Sequence, residues 1–297
     1  KMPLCQAGHC QANEFWHKGE SHFFKQLYFR NAKKEFVPVA LLVSPIFVSG
    51  HEPESAVFIF RDISKEMEAE HSKSEFISVA SHQLRTPLNS IRWILELLAK
   101  GDLGKLTKKE AEFIDEAHTS VVGMNKLIDD LLKVSIIESG RFPYNPECVN
   151  IKETFNEVIA SQNYLAKAHN VNVVNEIPEA LCTVITDKAG TRQIAECLID
   201  NAIKYTIKGD VTVSARPSQN DTLFMVKDSG AGIPPENQDK VFEKFFRAEN
   251  AATMHTGGSG LGLYIVKNII EICGGKIWFD SVLGKGTTFY FSLPNKK

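Results

Sequence analysis

Long hydrophobic runs are missing from this chain. Its longest apolar stretch, residues 36–48, has 13 residues and is interrupted by Pro38, Ser44 and Pro45. A membrane-spanning helix needs about 20 consecutive apolar residues, so we expect none here. No secretory signal is recognisable at the start either. The sequence therefore predicts a cytoplasmic polypeptide, and the membrane anchor of any longer parent protein would lie outside this chain.

An excess of charge of either sign is also missing. The chain has 34 Lys and Arg residues against 36 Asp and Glu residues, a formal net charge of −2. Nucleic acids and anionic membranes attract strongly basic proteins, so this balance argues against both as partners. The hydrophobic share of 43% is ordinary for a globular protein. A length of 297 residues is typical of two domains, or of three small ones.

Cysteine is sparse, and its distribution excludes a small disulfide-bonded scaffold. The six cysteines are scattered along the chain, which favours a reducing compartment. One local group raises the alternative of a metal site, and its members are Cys5, His9, Cys10, His17 and His22. Their spacing matches no standard zinc module, so the sequence favours an ordinary loop and helix that carry thiols.

Two long amphipathic segments predict a helical hairpin. In residues 62–100, apolar residues recur at alternating spacings of four and three, as in a coiled-coil seam; they are Leu84, Leu88, Ile91, Leu95 and Leu98. Pro87 lies inside this helix and should kink it. The second helix begins after Thr107, which forms a T-x-x-E capping box with Glu110, and it ends near Gly140.

This hairpin cannot bury its apolar stripe alone. The connection at residues 101–106 is short, so the two helices should run antiparallel. The stripe of such a hairpin is buried most simply when two copies form a symmetric four-helix bundle. We therefore expect a homodimer.

Shorter helices and strands follow from residue 150 onward. Asn150 is placed to cap a helix that runs to about His169. Further helices are expected at residues 191–205 and 262–273, and strands at 171–176, 183–186, 210–215, 223–227, 276–281 and 287–293. Because these elements do not alternate strictly as βαβ units, they predict an α/β sandwich with helices on one face. Upstream of the hairpin, a β-rich piece is expected from two strand-like segments, residues 36–47 and 56–61.

A glycine-bearing segment, DSGAGIP at residues 228–234, directly follows a predicted strand. Its glycines allow the backbone to approach a ligand closely. Asp228 would stand at the strand end, where its carboxylate can accept a hydrogen bond. Adenine offers an amino donor, whereas guanine offers a carbonyl that a carboxylate would repel. Asp228 is therefore a candidate for reading adenine.

Two further glycine segments precede a helix and a strand. GGSGLG at residues 257–262 opens a helix, whose free backbone N–H groups and dipole suit phosphate oxygens. It lacks the spacing of a Rossmann fingerprint and the G-K-[ST] of a Walker A loop, so by itself a structural turn is an equally good interpretation. GKGTT at residues 284–288 is by itself typical of a hairpin turn.

A polar helix face and one histidine complete the candidates. Asn201, Lys204 and Tyr205 lie at positions i, i+3 and i+4 and share one face. Near a phosphate loop they could hold Mg²⁺ and a nucleotide, although a solvated polar face is the simpler explanation. His82 lies one turn before Pro87, and neutral imidazole is a competent nucleophile. Taken alone, its octapeptide fits a structural histidine better.

Several motifs in a fixed order make residues 62–297 resemble the sensor histidine kinase family. SVASHQLRTPL at residues 78–88 is similar to its phospho-acceptor box, and RQIAECLIDNAIKYT at residues 192–206 is similar to its asparagine box. The remaining segments resemble its glycine boxes and its phenylalanine box, and they lie at residues 228–232, 241–247, 258–262 and 284–288.

The resemblance implies a Bergerat-type ATP-binding domain after a dimerisation and phosphotransfer hairpin. By this similarity His82 is the phosphorylated residue, and Gln83 and Thr86 are its catalytic neighbours. Asn201 would ligate Mg²⁺ and Asp228 would bind the adenine amino group. The other residues expected to contact ATP are Lys204, Tyr205, Gly230, Gly232, Ile233, Gly258, Ser259, Gly260, Leu261, Gly262, Thr287 and Thr288. A mobile lid is expected at residues 234–257, packed against the domain by Phe245 and Phe246.

The implied function is ATP-dependent autophosphorylation of His82 and phosphotransfer to an aspartate of a response regulator in two-component signalling. Thr86 is also placed to assist a reverse, phosphatase reaction. The expected domains are the C-terminal part of a PAS-like sensor domain at residues 1–62, the hairpin at 63–142 and the catalytic domain at 143–297; within the first, residues 21–62 carry the PAS resemblance. We expect a cytoplasmic portion of a bacterial sensor protein, whose parent is either membrane-anchored or soluble.

Two positions depart from the family pattern. Gln83 stands where the family usually has Glu or Asp, and its amide accepts a hydrogen bond but takes up no proton. Cys197 stands where a second asparagine is frequent. One alternative is therefore an ATP-binding scaffold with weak or lost kinase activity, which Gln83 favours. Another is an ATPase of the wider GHKL group, against which the phospho-acceptor octapeptide argues.

Overall fold

The computed structural model describes residues 5–6, 9–10, 21–47, 54–102, 104–179, 183–254 and 258–295. The chain divides into two compact units, Lys1–Phe76 and Ile77–Lys297. Of the N-terminal cysteine and histidine group, only His22 has a described side chain, so the metal-site alternative falls outside the described residues. Within the ranges given above, no helix is both long and apolar enough to cross a membrane.

The first unit contains an antiparallel sheet in the order β3-β4-β5. The strands are β1 (Cys5–Gln6) and β2 (His9–Cys10), which pair with each other, and β3 (His22–Arg30), β4 (Phe36–Ile46) and β5 (Ser55–Asp62). The sequence predicts β4 and β5 but not β3, because an irregularity between Phe24 and Leu27 interrupts the alternation of β3. Leu27, Val39 and Leu41 form a small core.

The predicted hairpin is formed by two helices, α1 (Ser64–Lys100) and α2 (Lys108–Glu138). Arg85 pairs with Asp129 at 2.7 Å, and Asn125 donates a hydrogen bond to Asn89 at 3.5 Å. Four residues forward along α1 are thus matched by four residues back along α2, as an antiparallel pair requires. Helix α1 continues through Pro87.

The capping box at the start of α2 is confirmed. The Thr107 hydroxyl accepts from the Glu110 backbone N–H at 3.3 Å, and the Glu110 carboxylate accepts from the Thr107 backbone N–H at 2.8 Å. These two bonds satisfy backbone donors that a helix start would otherwise leave unpaired. The short connection between α1 and α2 therefore has a fixed end.

An apolar stripe of the hairpin stays exposed. Leu84, Ile91 and Ile94 are 53%, 46% and 48% exposed on one side of α1. At about 100° per residue, this stripe lies on the side of α1 opposite His82. Large apolar residues exposed at helical spacing are typical of an interface with another chain.

The predicted α/β sandwich follows the hairpin and is confirmed. Its five-stranded sheet has the order β11-β12-β10-β9-β7, and only the β7–β9 pair is parallel. The strands and helices are β6 (Pro146–Asn150), α3 (Ile151–Ala168), β7 (Val171–Asn175), β8 (Thr183–Asp187), α4 (Lys188–Tyr205), β9 (Gly209–Ser218), β10 (Asp221–Asp228), α5 (Glu249–Met254), α6 (Gly262–Ile272), β11 (Lys276–Val282) and β12 (Gly286–Pro294).

Helices α3, α4 and α6 pack on one face of the sheet. Three parallel rings connect the layers, since Phe224 stacks 6.0 Å from Phe155 and 4.6 Å from Phe291. Large apolar side chains that alternate along the strands face this layer, and they include Val211, Val213, Phe224, Val226, Phe289 and Phe291. The opposite face carries a half-exposed Trp278 stacked on Tyr290.

Two elements of the sandwich differ from the prediction. Helix α4 begins three residues earlier than expected, because Asp187 caps it by accepting from the Gly190 N–H at 2.6 Å. Strand β6 was not expected; it pairs only with β8, in a separate two-stranded sheet. The C-terminal half of α2 also enters this core, where Val134 and Ile137 are buried.

Candidate nucleotide-binding site

Asp228 lies at the end of β10 and is 7% exposed. Its Oδ1 accepts hydrogen bonds from the backbone N–H groups of Gly230 at 2.9 Å and Thr287 at 3.1 Å. Burial raises the pKa of this carboxyl, and the two N–H bonds oppose that rise. Among the described residues, no donor is bonded to Oδ2. One oxygen therefore fixes the side chain, and the other is left to accept from an amino group.

Gly230 brings the Asp228 loop against the end of α4. A Cβ at this position would stand 2.2 Å from the carbonyl oxygen of Tyr205, which no side chain tolerates. The neighbouring Ala231 N–H donates to the same oxygen at 3.0 Å. The loop and the helix that carries Asn201 are thus held together by direct backbone contact.

The rest of the first glycine segment is held by β11, β12 and the lid. Ile233 donates its N–H to the Ser281 hydroxyl at 2.8 Å, and that hydroxyl lies 2.9 Å from the Thr287 hydroxyl. Asn250 of α5 donates to the Gly232 carbonyl at 3.0 Å. Because side chains alternate along a strand, Thr288 lies on the opposite sheet face from buried Thr287. The structure therefore brings Gly232, Ile233 and Thr287 to the site but not the Thr288 side chain.

The polar face of α4 borders this loop. Lys204 forms an ion pair with Asp200 at 2.6 Å. Asn201 donates from Nδ2 to the Cys197 sulfur at 3.9 Å, and among the described residues nothing donates to its Oδ1. Burial raises the pKa of the Cys197 thiol to about 12, so this residue is a neutral neighbour and not a thiolate ligand.

Asn201 fits a magnesium ion as one oxygen ligand. Mg²⁺ prefers hard oxygen ligands and usually keeps several waters and substrate phosphates around it. In the described part of the chain, no three His, Cys, Asp or Glu side chains are grouped so that they could hold a metal by themselves. The residues present therefore suit an ion that a nucleotide brings with it.

The second glycine segment opens α6 beside the lid. Gly260 has a φ of +67°, and a Cβ there would lie 2.7 Å from the carbonyl carbon of Phe245. Leu261 is fully buried, and its N–H donates to the Ser259 hydroxyl at 3.2 Å. Gly262 is the first residue of α6, and a Cβ there would approach the Cys197 sulfur to 2.9 Å. The loop is thus held in a defined shape at a helix N-terminus, where anions bind favourably.

Arg247 is a site residue that the sequence analysis did not single out. Its guanidinium lies 3.6 Å from the point where a side chain at Gly258 would begin. It also hydrogen-bonds Tyr205, whose pKa burial raises although this bond opposes the rise. The only sequence signal was its position as the last residue of the phenylalanine box. A guanidinium here can neutralise phosphate charge and bind it with two parallel bonds.

The expectation that Phe245 packs the lid against the domain is wrong. Its ring is 60% exposed, and its φ of +61° is unusual for a non-glycine residue. Phe246 is half-buried, and Phe242 takes the packing role instead, with its ring 5.8 Å from that of Phe279. The sequence could not distinguish neighbouring aromatic residues in an irregular segment, because no strand or helix period applies there. Residues 255–257 of the expected lid lie outside the described residues.

The segment that resembles the phospho-acceptor box lies on α1. His82 and Gln83 are both exposed, and the Thr86 hydroxyl donates to the His82 carbonyl at 3.3 Å. One turn away, Arg85 pairs with Asp129 of α2, and the next residue, Asp130, accepts from Ser259 of the glycine loop at 2.8 Å. In this arrangement α2 contacts both the helix that carries His82 and the glycine loop.

Two family models match the chain. Residues 72–140 match the His Kinase A (phospho-acceptor) domain, and residues 186–297 match the histidine kinase-, DNA gyrase B- and HSP90-like ATPase. The first match covers the hairpin with His82. The second covers α4 and all three glycine segments, the first of which begins with Asp228.

Curated proteins and solved structures resemble it as well. The sensor histidine kinase WalK of Bacillus subtilis is 33% identical over 247 residues, which are 82% of this chain and 40% of that protein. A sensor protein kinase WalK of Staphylococcus aureus is 31% identical over 252 residues, which are 84% of this chain and 59% of that protein. The chain thus spans 40% to 59% of the length of these relatives.

Full-length ShkA, solved in complex with AMPPNP, is 26% identical with a TM-score of 0.62 over 74% of this chain and 45% of its own. The Acinetobacter baumannii histidine kinase AdeS has a TM-score of 0.53 at 23% identity, over 73% of this chain and 98% of its own, and supports the fold alone. Both domain matches and these relatives lead to one conclusion: the chain belongs to the sensor histidine kinases of two-component systems.

Proposed function

We propose that this chain binds Mg-ATP and transfers the γ-phosphoryl group to its own His82, from which it passes to an aspartate of a response regulator. One observation carries the proposal. An exposed histidine on a helical hairpin accompanies a domain in which Asp228, the Asn201 face of α4 and a glycine loop meet.

The nucleotide would be read and held by separate groups. Asp228 Oδ2 would accept from the adenine amino group, and the loop at residues 258–262 would donate backbone N–H groups to phosphate. Arg247 supplies positive charge beside that loop, and Lys204 supplies it on the polar face of α4. Mg²⁺, bound through Asn201, would neutralise phosphate charge and orient the γ-phosphoryl group. The AMPPNP bound by the related ShkA supports a nucleotide in this fold.

The transfer requires positioning more than covalent chemistry. The neutral His82 nitrogen would form a bond to the γ-phosphorus while the bond to the bridging oxygen breaks and ADP leaves with that electron pair. The ring proton would pass to water, because Gln83 can accept a hydrogen bond but not a proton. The receiver aspartate would then take the phosphoryl group from the exposed ring. Thr86, one turn further along α1, would orient a water for the reverse phosphatase reaction.

The chain would act as a homodimer through its hairpin. The exposed stripe of Leu84, Ile91 and Ile94 supports a four-helix bundle. We also propose that β3, β4 and β5 belong to the PAS-like part at residues 1–62, with the hairpin at 63–142 and the catalytic domain at 143–297. As ATP and a receiver domain are its substrates, we place the reaction in the cytoplasm, whether the parent protein is anchored or soluble.

Labelled ATP tests the proposed activity. The wild-type chain should take up γ-phosphate label that is lost in acid and kept in alkali, as expected for a phosphohistidine. His82→Ala should lose more than nine-tenths of it, whereas the control His71→Ala, also exposed on α1, should retain it. Equal labelling of the wild type and His82→Ala would refute the proposal.

Two alternatives have distinct outcomes in the same assay. A scaffold without transfer activity, the reading that Gln83 favours, would bind nucleotide but take up no label. An ATPase of the GHKL group would release phosphate while its own chain stayed unlabelled.

A further inference from the structure

Three polar contacts join one side of α2 to the catalytic domain. Ser259 donates from its hydroxyl to Asp130 Oδ2 at 2.8 Å, and Lys126 pairs with Asp200 at 3.2 Å. Two turns further along, Glu138 pairs with Lys244 of the lid segment. Lys126 and Asp130 are one helical turn apart and therefore share a face of α2.

The Asp130 contact places an anion against the proposed phosphate loop. Asp130 is only 8% exposed, so its carboxylate is held within the contact and not in solvent. The Ser259 hydroxyl gives its single proton to Asp130 and accepts from the Leu261 N–H at 3.2 Å. A phosphate oxygen would need the same hydroxyl proton. Since carboxylate and phosphate are both negative, they would also repel each other at this separation.

The Lys126 contact involves the other half of the proposed site. Asp200 is 17% exposed and binds Lys126 of α2 and Lys204 of α4 through the same oxygen. Burial lowers the pKa of Lys126, but the attraction and the hydrogen bond of Asp200, together with nearby Asp130, outweigh this, and the pKa is raised. Lys126 is therefore charged when it competes with Lys204 for this carboxylate. Helix α2 thus contacts Ser259 in the glycine loop and Asp200, the neighbour of Asn201 on α4.

We propose that α2 is an intramolecular competitor of the nucleotide: when it is docked, Asp130 stands in for a phosphate oxygen at Ser259, and nucleotide binding requires this contact to open. The proposal rests on the proposed function, since it assumes that the loop at residues 258–262 binds phosphate. The apparent dissociation constant then equals the intrinsic one divided by the fraction of molecules that are undocked. Docking and nucleotide binding regulate each other reciprocally.

Nucleotide affinity of two neighbouring variants tests the competition. We would measure the dissociation constant of the Mg²⁺ complex of AMPPNP, which prevents turnover, for the wild type, Asp130→Ala and Asp129→Ala. Asp130→Ala should bind about tenfold more tightly, since a hydrogen bond to a charged group is worth about that factor. Asp129→Ala removes the same charge one residue away, where it pairs with Arg85 of the hairpin, and should leave the affinity unchanged. Unchanged or weaker binding by Asp130→Ala, or equal tightening in both variants, would overturn the proposal.

Hydrogen exchange separates this proposal from the proposed function. Without nucleotide, Asp130→Ala should exchange several-fold faster than the wild type at the amides of residues 258–262, and Asp129→Ala should not. If no form bound nucleotide, the proposed function would fail, whereas the exchange result would still decide whether Asp130 closes the loop. Equal exchange in the wild type and Asp130→Ala would refute the contact itself.

Discussion

At the residue scale, the candidate site residues Asp228 and Gln83 differ in how much their surroundings affect them. Asp228 is fixed by the N–H of Thr287, which is 59 positions away, and burial raises the pKa of this carboxyl. Within the part of the chain that the structure describes, Gln83 has no such partner; it is exposed beside His82. The fold therefore alters the acidity of Asp228, whereas the chemistry of Gln83 follows from its side-chain type alone.

Replacing the Asp228 carboxylate should weaken nucleotide binding and remove a pH-dependent step in the affinity. Asp228→Asn keeps the shape but loses the charged acceptor, so ATP should bind about tenfold more weakly. In the wild type, affinity should fall as pH drops through the raised pKa, because protonation removes the acceptor, and Asp228→Asn should lack this step. The sign for folding is opposite: stability from this group is present at low pH and is lost as pH rises through the raised pKa.

Titration calorimetry across pH 4 to 8 measures both effects in the Asp228 comparison. Asp221→Asn, at the other end of β10, is the matched control and should behave as the wild type. An unchanged affinity in Asp228→Asn would show that this carboxylate does not read the base.

A carboxylate next to His82 should speed autophosphorylation. Gln83→Glu supplies a group that accepts the imidazole proton, and general-base assistance is worth about tenfold or more. The initial rate of label incorporation at saturating ATP measures it, with Gln83→Asn as the variant that changes side-chain length without adding a base. A rate in Gln83→Glu no higher than that of the wild type would contradict the expectation.

At the element scale, the hairpin forms within one chain but leaves an apolar stripe uncovered. Its capping box and its antiparallel register are satisfied within one chain. The stripe of Leu84, Ile91 and Ile94 is not, because all three side chains remain about half exposed. The exposed stripe therefore predicts that two hairpins associate.

Negative charges introduced into this stripe should dissociate the proposed dimer. The double variant Leu84→Asp/Ile91→Asp would bury two unpaired carboxylates per chain in a bundle, so it should sediment as a monomer at concentrations where the wild type is a dimer. Trp93→Asp is the control, since Trp93 is 61% exposed on the His82 side of α1 and should not affect association. A dimer that survives the double variant would place the interface elsewhere.

At the scale of the whole molecule, periodic elements were predictable and the contacts between them were not. The capping box at Thr107, the helix after Asn150 and the strands of the large sheet follow from local patterns. Arg247 beside Gly258 and Asp130 beside Ser259 do not, because each pair joins irregular or distant segments with no shared period. Motif order identified the family, whereas only the fold brought these charges to the glycine loop.

Because Asp129 and Asp130 are adjacent on α2, a movement of this helix affects the contacts of both. Consecutive residues of a helix project about 100° apart, so the two carboxylates point to different neighbours while sharing one rigid rod. Turning α2 about its own axis by a fraction of that angle would loosen the grip on Arg85 and on Ser259 in a single movement. In the proposed reaction, one rotation of α2 would therefore change the contacts beside the phosphate loop and those on the helix of His82 together.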